Sequence, residues 1–397
     1  MTDRSRTSER AHPGKNTPRK EQTGARGSDA LVIRVNTLYA STAATTARYY
    51  TRYLTDAPGE LPGQWAGQQA DLLGLHGTVT TEALERLLSG HDPISDVALG
   101  FPFKDRTLAN GKVIRAVAGF DATVSAPKSL SVLWALTGDA GFAEAHDVAV
   151  QAVLAHLERF GSTTRIRSNG GRLHPDSQGL IVAGLRQTTS RADDPQLHTH
   201  LVISSKVQTE DGRWLALDAR FLKGYQRVLG GLYQSVLRAE LTSRFGVAFG
   251  EIVKGQAEIV GVPSDLLELF SKRTAQVEDA LAVKVAEFYE REGRDPTDWE
   301  KAALTREAAA DTRVHKSSRP VDELRPGWLE DAADIGVTPR VLQAQPARSV
   351  FLQPCRRDRS IADGSARPKA RTSILRLRCE RSARHTVVQG LTWCNRP

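Results

Sequence analysis

Apolar residues in the middle of the chain repeat with two periods. Phe120, Ala122 and Val124 alternate with Asp121 and Thr123, the period-two pattern of a strand. Ser125 and Pro127 then read as a helix start, with Leu130, Leu133 and Leu136 as its buried stripe. Val150, Val153, Leu154 and Leu157 keep helical spacing within a segment from Phe142 to Phe160, which stops at Gly161. Strands follow at about Leu180 to Arg186 and Leu197 to Val207, and the Asp211-Gly212 pair turns the chain into Trp214-Leu215 as a hairpin. Tyr225, Leu229, Leu232 and Val236 mark a long helix from about Leu222 to Phe245, ended by Gly246. Further helices are expected over 265–292 and 297–312. The pattern predicts an α+β domain whose antiparallel strands are flanked by helices. Residues 1–33 form a polar arm expected to be disordered, and 317–397 read as a linker and tail with one short amphipathic piece near Trp328.

Three clusters carry candidate chemistry. Pro195 to Ser205, PQLHTHLVISS, sets His198 and His200 two residues apart at the head of an apolar, β-branched run. Side chains at i and i+2 of a strand share a face, so both rings can reach one metal ion; a coincidental strand pair is the plain alternative. Asp121 on a strand precedes Lys128 in the first turn of a helix, where a cation opposes the helix dipole. An anion such as a phosphate between them would explain that choice, while a solvated pair of surface charges would need no explanation. Tyr49, Tyr50 and Tyr53 place three of the chain's seven tyrosines within five positions, interleaved with Arg48 and Arg52. A tyrosine can act as a covalent nucleophile, and Tyr49 and Tyr53 at helical spacing can equally be core. Arg165, Arg167, Arg172, Arg186 and Arg191 surround the predicted strands and could follow a phosphate backbone, with Trp214 or Phe103 for base stacking.

Composition bounds this picture. The chain of 397 residues is 40% apolar, enough for a sizeable core, with no apolar run long enough to span a bilayer. The first thirty residues lack the apolar segment of a signal peptide, which implies a cytoplasmic protein. The net charge of +8 resides in the tail: residues 351–397 hold 11 Lys and Arg against 3 Asp and Glu, and the rest is balanced. The same tail holds all three cysteines, Cys355, Cys379 and Cys394, at spacings that match no zinc or disulfide framework. A frameshifted or recombined terminus is the expectation there, with a basic DNA-contacting extension as the alternative. No phosphate loop of the form GxxxxGK[ST] occurs, so nucleotide-driven unwinding is not expected.

Taken together and in this order, the motifs resemble a family. Residues 34–316 are similar to the conjugative relaxases of the MobF (TrwC/TraI-like) type in the HUH endonuclease group. The resemblance rests on the tyrosine cluster, on GQWAGQQADLLGLHGTV (Gly63 to Val79), on FDATVSAPKS (Phe120 to Ser129) and on TSRADDPQLHTH (Thr189 to His200). It implies a palm-like, five-stranded antiparallel sheet flanked by helices. It also implies site- and strand-specific nicking at a plasmid transfer origin through a 5′-phosphotyrosine, assisted by a divalent metal. By position Tyr49 is then the first nucleophile with Tyr50 beside it, and Asp121 either bonds a metal-binding histidine or helps accept the phenolic proton. His198 and His200 are metal ligands, and Lys128, Arg186 and Arg191 are DNA contacts. The family carries a third histidine two residues before Thr-Ser-Arg, where this chain has Gln187. An amide oxygen is a harder, weaker donor than imidazole, which tilts the site toward Mg²⁺ or Mn²⁺ and away from tight Zn²⁺ binding. His174 is a less favourable substitute ligand, since it precedes the strand and abuts Pro175. The implied partners are single-stranded or hairpin DNA at a transfer origin and a type IV secretion coupling protein, without membrane insertion. Two other classes fit the same residues: a metal-dependent phosphoesterase without a covalent step, and a hairpin-binding remnant with weakened catalysis.

Overall fold

The computed structural model describes residues 32–55, 61–168, 171–314, 317 and 319–343. Five strands form the main sheet: β1 (Ile33–Tyr39), β2 (Gln64–Ala66), β3 (Val117–Ser125), β4 (Val182–Thr189) and β5 (Pro195–Ser204). Their order is β1-β3-β5-β4-β2, and every neighbouring pair is antiparallel. The expected sheet is therefore present, with β5 at its centre and the short β2 closing one edge. Among the described residues three two-stranded ribbons lie outside it, including Lys206–Gln208 with Trp214–Ala216, turned at Asp211-Gly212 as expected.

Both faces of the sheet are buried, and alternation decides which residue meets which layer. Phe120, Ala122, Val124, Val182, Leu197, Leu201 and Ile203 pack against helices Ala140–Gly161 and Gln226–Phe245. Ala118, Ala183, Leu185 and Val202 face the other way, onto helices α1 (Ala43–Thr55) and α2 (Thr81–Ser89). Helix α3 (Lys128–Thr137) follows β3, and α4 (Ala140–Gly161) and α5 (Gln226–Phe245) complete the layer behind the sheet. Beyond them come α6 (Lys272–Glu292), α7 (Asp298–Asp311) and α8 (Val321–Asp334).

The helix boundaries have local causes. Thr80 caps α2 by accepting from the Ala83 amide, and Thr297 with Glu300 forms a reciprocal capping box on α7. Gly246 ends α5 in the left-handed conformation, φ 64°, which a side chain would resist. Gly161 also ends its helix, but for space: a Cβ there would lie 2.8 Å from the Phe221 ring. The helix expected over 222–245 is broken at Tyr225, whose ring stacks on Phe221 at 4.3 Å. The one expected over 265–292 is broken where Phe270 turns into a third apolar cluster.

That cluster corrects the expected domain boundary. Residues 317 onward are not a linker through this stretch. In α8, Val321, Leu324, Trp328 and Ala332 are buried against Val132 and Leu136 of α3 and against Phe270, so the folded unit continues past Asp334. Of the polar arm expected over 1–33, Val32 is buried and Ile33 belongs to β1, while residues 1–31, the basic tail and its three cysteines lie outside the described residues. No helix among the described residues is long and apolar enough to cross a membrane.

Behind the sheet, His146 of α4 is fully buried between Tyr233 of α5, 2.6 Å from Nδ1, and Thr199 of β5, 2.9 Å from Nε2. Desolvation lowers its pKa to about 3, so the folded state holds a neutral ring where the unfolded chain would bind a proton. The stability this ring contributes is therefore complete above its unfolded pKa of about 6.5 and declines as pH falls from there toward 3. The stability advantage of the wild type over His146→Gln is expected to shrink over that window, as read by urea denaturation at a series of pH values. An advantage independent of pH would show that the histidine is not held neutral.

Candidate active site

Strand register builds the site on the α1 side of the sheet. Thr123 of β3 pairs with His200 of β5, Ser125 with His198, and Gln187 of β4 with His198 from the other side. Asp121, Thr123, His198, His200, Leu185 and Gln187 therefore share one face. The His198 and His200 rings lie 5.2 Å apart between centroids, at 74°. His200 Nδ1 is 3.0 Å from Asp121 Oδ1 and 3.2 Å from the Thr123 hydroxyl, while His198 Nδ1 is 2.9 Å from the Gln196 carbonyl. With Nδ1 engaged in each ring, Nε2 is the nitrogen each histidine would offer an ion. Among the described residues no three His, Cys, Asp or Glu side chains surround a common ion position. Gln187 is buried on the same face and pairs in register with His198, so an amide stands next to the two imidazoles.

Helix α1 lays the tyrosines over this face. Tyr50 is buried, and its hydroxyl donates to Asp121 Oδ2 at 2.7 Å. Its ring stands 5.1 Å from His200 and 5.2 Å from Tyr49. Burial and the adjoining Asp121 carboxylate push the Tyr50 pKa far above that of an ordinary phenol. Tyr50 thus links Asp121 to the core, in a setting unlike that of its neighbour. Asp121 accepts from the Tyr50 phenol and bonds His200, so its geometry suits both roles expected for it. Tyr49 lies in a different setting: Arg191 Nη2 donates to its hydroxyl at 2.8 Å, and the guanidinium carbon lies 5.7 Å from its ring centroid. The side chain of Tyr53 lies outside the described residues.

Of the three expected DNA contacts, only Arg191 reaches the site. Arg186 is one residue before Gln187 and so points through to the opposite face, where it forms a largely buried ion pair with Asp147 of α4. Its guanidinium cannot track a phosphate backbone beside the histidines. Lys128 is also structural: its Nζ donates to the Pro195 carbonyl at 3.0 Å, and burial lowers its pKa to about 8 against the opposing pull of Asp194 and Glu258. The anion expected at the start of α3 is present, but the protein supplies it. Glu258 accepts from the Ser129 amide at 2.8 Å and from the Lys128 amide at 3.4 Å. Glu258 lies 130 residues downstream, and no local signal could have named it.

The other candidates are elsewhere. His174 pairs with Asp218 at 3.2 Å, beside Arg220, and takes no part in the histidine site. Arg165 and Arg172 are exposed, and the Arg167 side chain lies outside the described residues. Trp214 and Phe103 line a groove with Phe101 and Lys206, beyond the Ser204 end of β5.

The family model of the TrwC relaxases matches residues 34–335, the stretch that holds the strand face with its paired histidines, the acid behind one of them and the tyrosine helix laid across it. The chain belongs to the TrwC relaxase family. The multifunctional conjugation protein TraI of Escherichia coli is 32% identical over 279 residues, and TraI of E. coli strain K12 is 30% identical over 277. Each alignment covers 67% of this chain, which spans about one seventh (14%) of the length of either relative. Among solved structures, metal-bound conjugative relaxase TrwC in complex with oriT DNA is 27% identical with a TM-score of 0.61, and the metal-free complex is 28% identical with a TM-score of 0.62. TrwC complexed with a 27-mer DNA comprising the recognition hairpin and the cleavage site is 28% identical with a TM-score of 0.61. Each of these covers 77% of this chain and 99% of the solved one.

If Arg186 serves the fold alone, Arg186→Met is expected to lower stability by about 3 kcal/mol, because it strands Asp147 in the core. The slope of log affinity against log salt for a single-stranded oligonucleotide should stay unchanged. A slope reduced by about one would return Arg186 to the DNA interface.

Proposed function

We propose that this TrwC-family chain nicks one DNA strand at a plasmid transfer origin and transfers it through a 5′-phosphotyrosine on Tyr49. The observation that carries this reading is the Tyr49 hydroxyl held by Arg191 beside the histidine-bearing face, while the neighbouring Tyr50 is locked to Asp121. The solved TrwC complexes with oriT DNA support the same substrate class.

In the chemical step the Tyr49 oxygen forms a bond to phosphorus and the phosphorus–O3′ bond breaks. The phenolic proton ends on the departing 3′-hydroxyl, so the exchange is balanced, and its reversal rejoins the strand without a nucleotide cofactor. Arg191 contributes twice: it orients the Tyr49 oxygen and brings positive charge to where the phosphate must approach. Asp121 fixes the His200 tautomer, and the Gln196 carbonyl does the same for His198. His198, His200 and Gln187 would hold a divalent cation, Mg²⁺ or Mn²⁺ in preference to Zn²⁺ given the amide oxygen in the set. A cation there supplies charge that neutralises the non-bridging phosphate oxygens. The same reading gives the chain single-stranded and hairpin DNA at the origin as substrate, a type IV secretion coupling protein as partner, and the cytoplasm as its place of action.

Incubation with a supercoiled plasmid carrying the transfer origin of its own element, in the presence of Mn²⁺, is expected to yield a covalent protein–DNA adduct. Tyr49→Phe should abolish the adduct while Tyr50→Phe retains it. Turnover surviving Tyr49→Phe would point to a phosphoesterase without a covalent step, and DNA binding without nicking would point to a remnant.

The third ligand is tested on DNA-free protein by isothermal titration. Gln187→His is expected to raise Zn²⁺ affinity by roughly tenfold or more, and Mn²⁺ affinity by less. Equal changes for the two ions would remove Gln187 from the coordination sphere.

A further inference from the structure

The turn Ser190–Asp194 joins the two ligand-bearing strands and carries Arg191. It is tied internally through Ser190, whose amide donates to the Asp194 carbonyl at 2.9 Å and whose hydroxyl accepts from the amides of Ala192 at 3.1 Å and Asp194 at 3.2 Å. Asp193 nevertheless sits at φ 57°, a left-handed conformation costing a non-glycine residue about 1 kcal/mol. Such a backbone persists only where its surroundings hold it.

Two of the holding groups, Trp328 and Ser317, come from the segment that reads as a linker in the sequence. The Trp328 indole Nε1 donates to the Asp193 carbonyl at 2.8 Å, and the Ser317 hydroxyl donates to Asp193 Oδ1 at 2.7 Å. The Val314 carbonyl accepts from Arg191 Nη1 at 3.1 Å, while Nη2 of the same guanidinium donates to the Tyr49 hydroxyl. Lys272 at the start of α6 lies 3.8 Å from Asp194. Trp328 is itself only 4% exposed, fixed among Val132, Leu136, Phe270 and Leu324, so the direction of its N–H is set by the core of α8.

We propose that Val314, Ser317 and Trp328 together act as a strap that aims Arg191 at Tyr49, with Trp328 as its positioning residue. Trp328 fixes the turn's backbone at its left-handed residue, two positions after Arg191, and Val314 fixes the guanidinium directly. Without the indole tether Asp193 relaxes toward commoner dihedrals, and Arg191 loses its alignment with the phenol. The importance of that alignment for strand transfer rests on the function proposed above; the alignment itself does not.

Trp328→Phe in the full chain keeps the ring and removes the N–H. With ¹³Cζ-tyrosine labelling, the Tyr49 resonance, assigned by its loss in Tyr49→Phe, is expected to shift in Arg191→Met. It should shift in the same direction and part of the way in Trp328→Phe, and the double variant should coincide with Arg191→Met. In parallel, adduct formation is expected to slow by about tenfold in Trp328→Phe, with no added loss in the Arg191→Met background and oligonucleotide affinity within about twofold of wild type. A resonance unmoved by either single variant, or rate losses that multiply independently, would overturn the strap. Should Trp328→Phe fail to fold, Ser317→Ala removes the second tether from a half-buried site and must shift the resonance in the same direction. A wild-type protein that forms no adduct would count against the proposed function alone, because the resonance does not depend on turnover.

Discussion

The pairing of β5 with β3 on one side and β4 on the other is the constraint on which the site depends. In a pleated strand the side-chain period is two, so a slip of one residue would carry His198 and His200 into the α4–α5 layer and bring Thr199 forward in their place. The register is specified from behind. Leu197, Leu201 and Ile203 are packed among α4 and α5, and Thr199 is bonded to the fully buried His146. A shift by two would keep the imidazoles on their face but set Leu197 or Leu201 against His146, which would lose its hydrogen bond. Apolar burial on one face thus determines which polar groups meet on the other.

The same parity explains what the sequence made legible and what was misread in it. Strands, helices and the identity of the histidine pair follow from periodicity, because period two and period 3.6 are written along the chain. Arg186 and Gln187 are adjacent in one strand and cannot serve the same face, yet both were expected near the site. The alternation that assigned the histidines was sufficient to separate them. Lys128 is a different case. A cation in the first turn of a helix does indicate an anion close by, but the sequence does not say whether a ligand or the protein provides it. Glu258 provides it, from a segment with no local relation to α3. The helix start was readable; its partner was not.

The stretch 319–343 is legible only as one short amphipathic piece near Trp328, for a third reason. Its Arg, Pro and Ser content is that of a linker, and α8 even contains Pro326. What folds it is burial of Val321, Leu324, Trp328 and Ala332 against a surface made by α3 and Phe270, which no window of local sequence contains. Composition describes what a segment can do alone. This segment is ordered by what it packs against.

The adjacent tyrosines show how one local geometry divides labour. Consecutive residues on a helix are about 100° apart, so Tyr49 and Tyr50 cannot point in the same direction. With Ala43 and Ala47 buried in the α1–α2 interface, Tyr50 is directed into the sheet and meets Asp121, where burial and the carboxylate hold its proton in place. Tyr49 is left at the margin of that interface, within reach of Arg191 and of anything entering between α1 and the Ser190–Asp194 turn. The buried tyrosine is hydrogen-bonded to the acid that bonds His200; the half-buried one beside a guanidinium is the one proposed to react. Exchanging their settings would require α1 to rotate by about a quarter turn against its alanine contacts, so helix packing decides which phenol meets Asp121 and which meets Arg191, the difference on which the role proposed for Tyr49 rests.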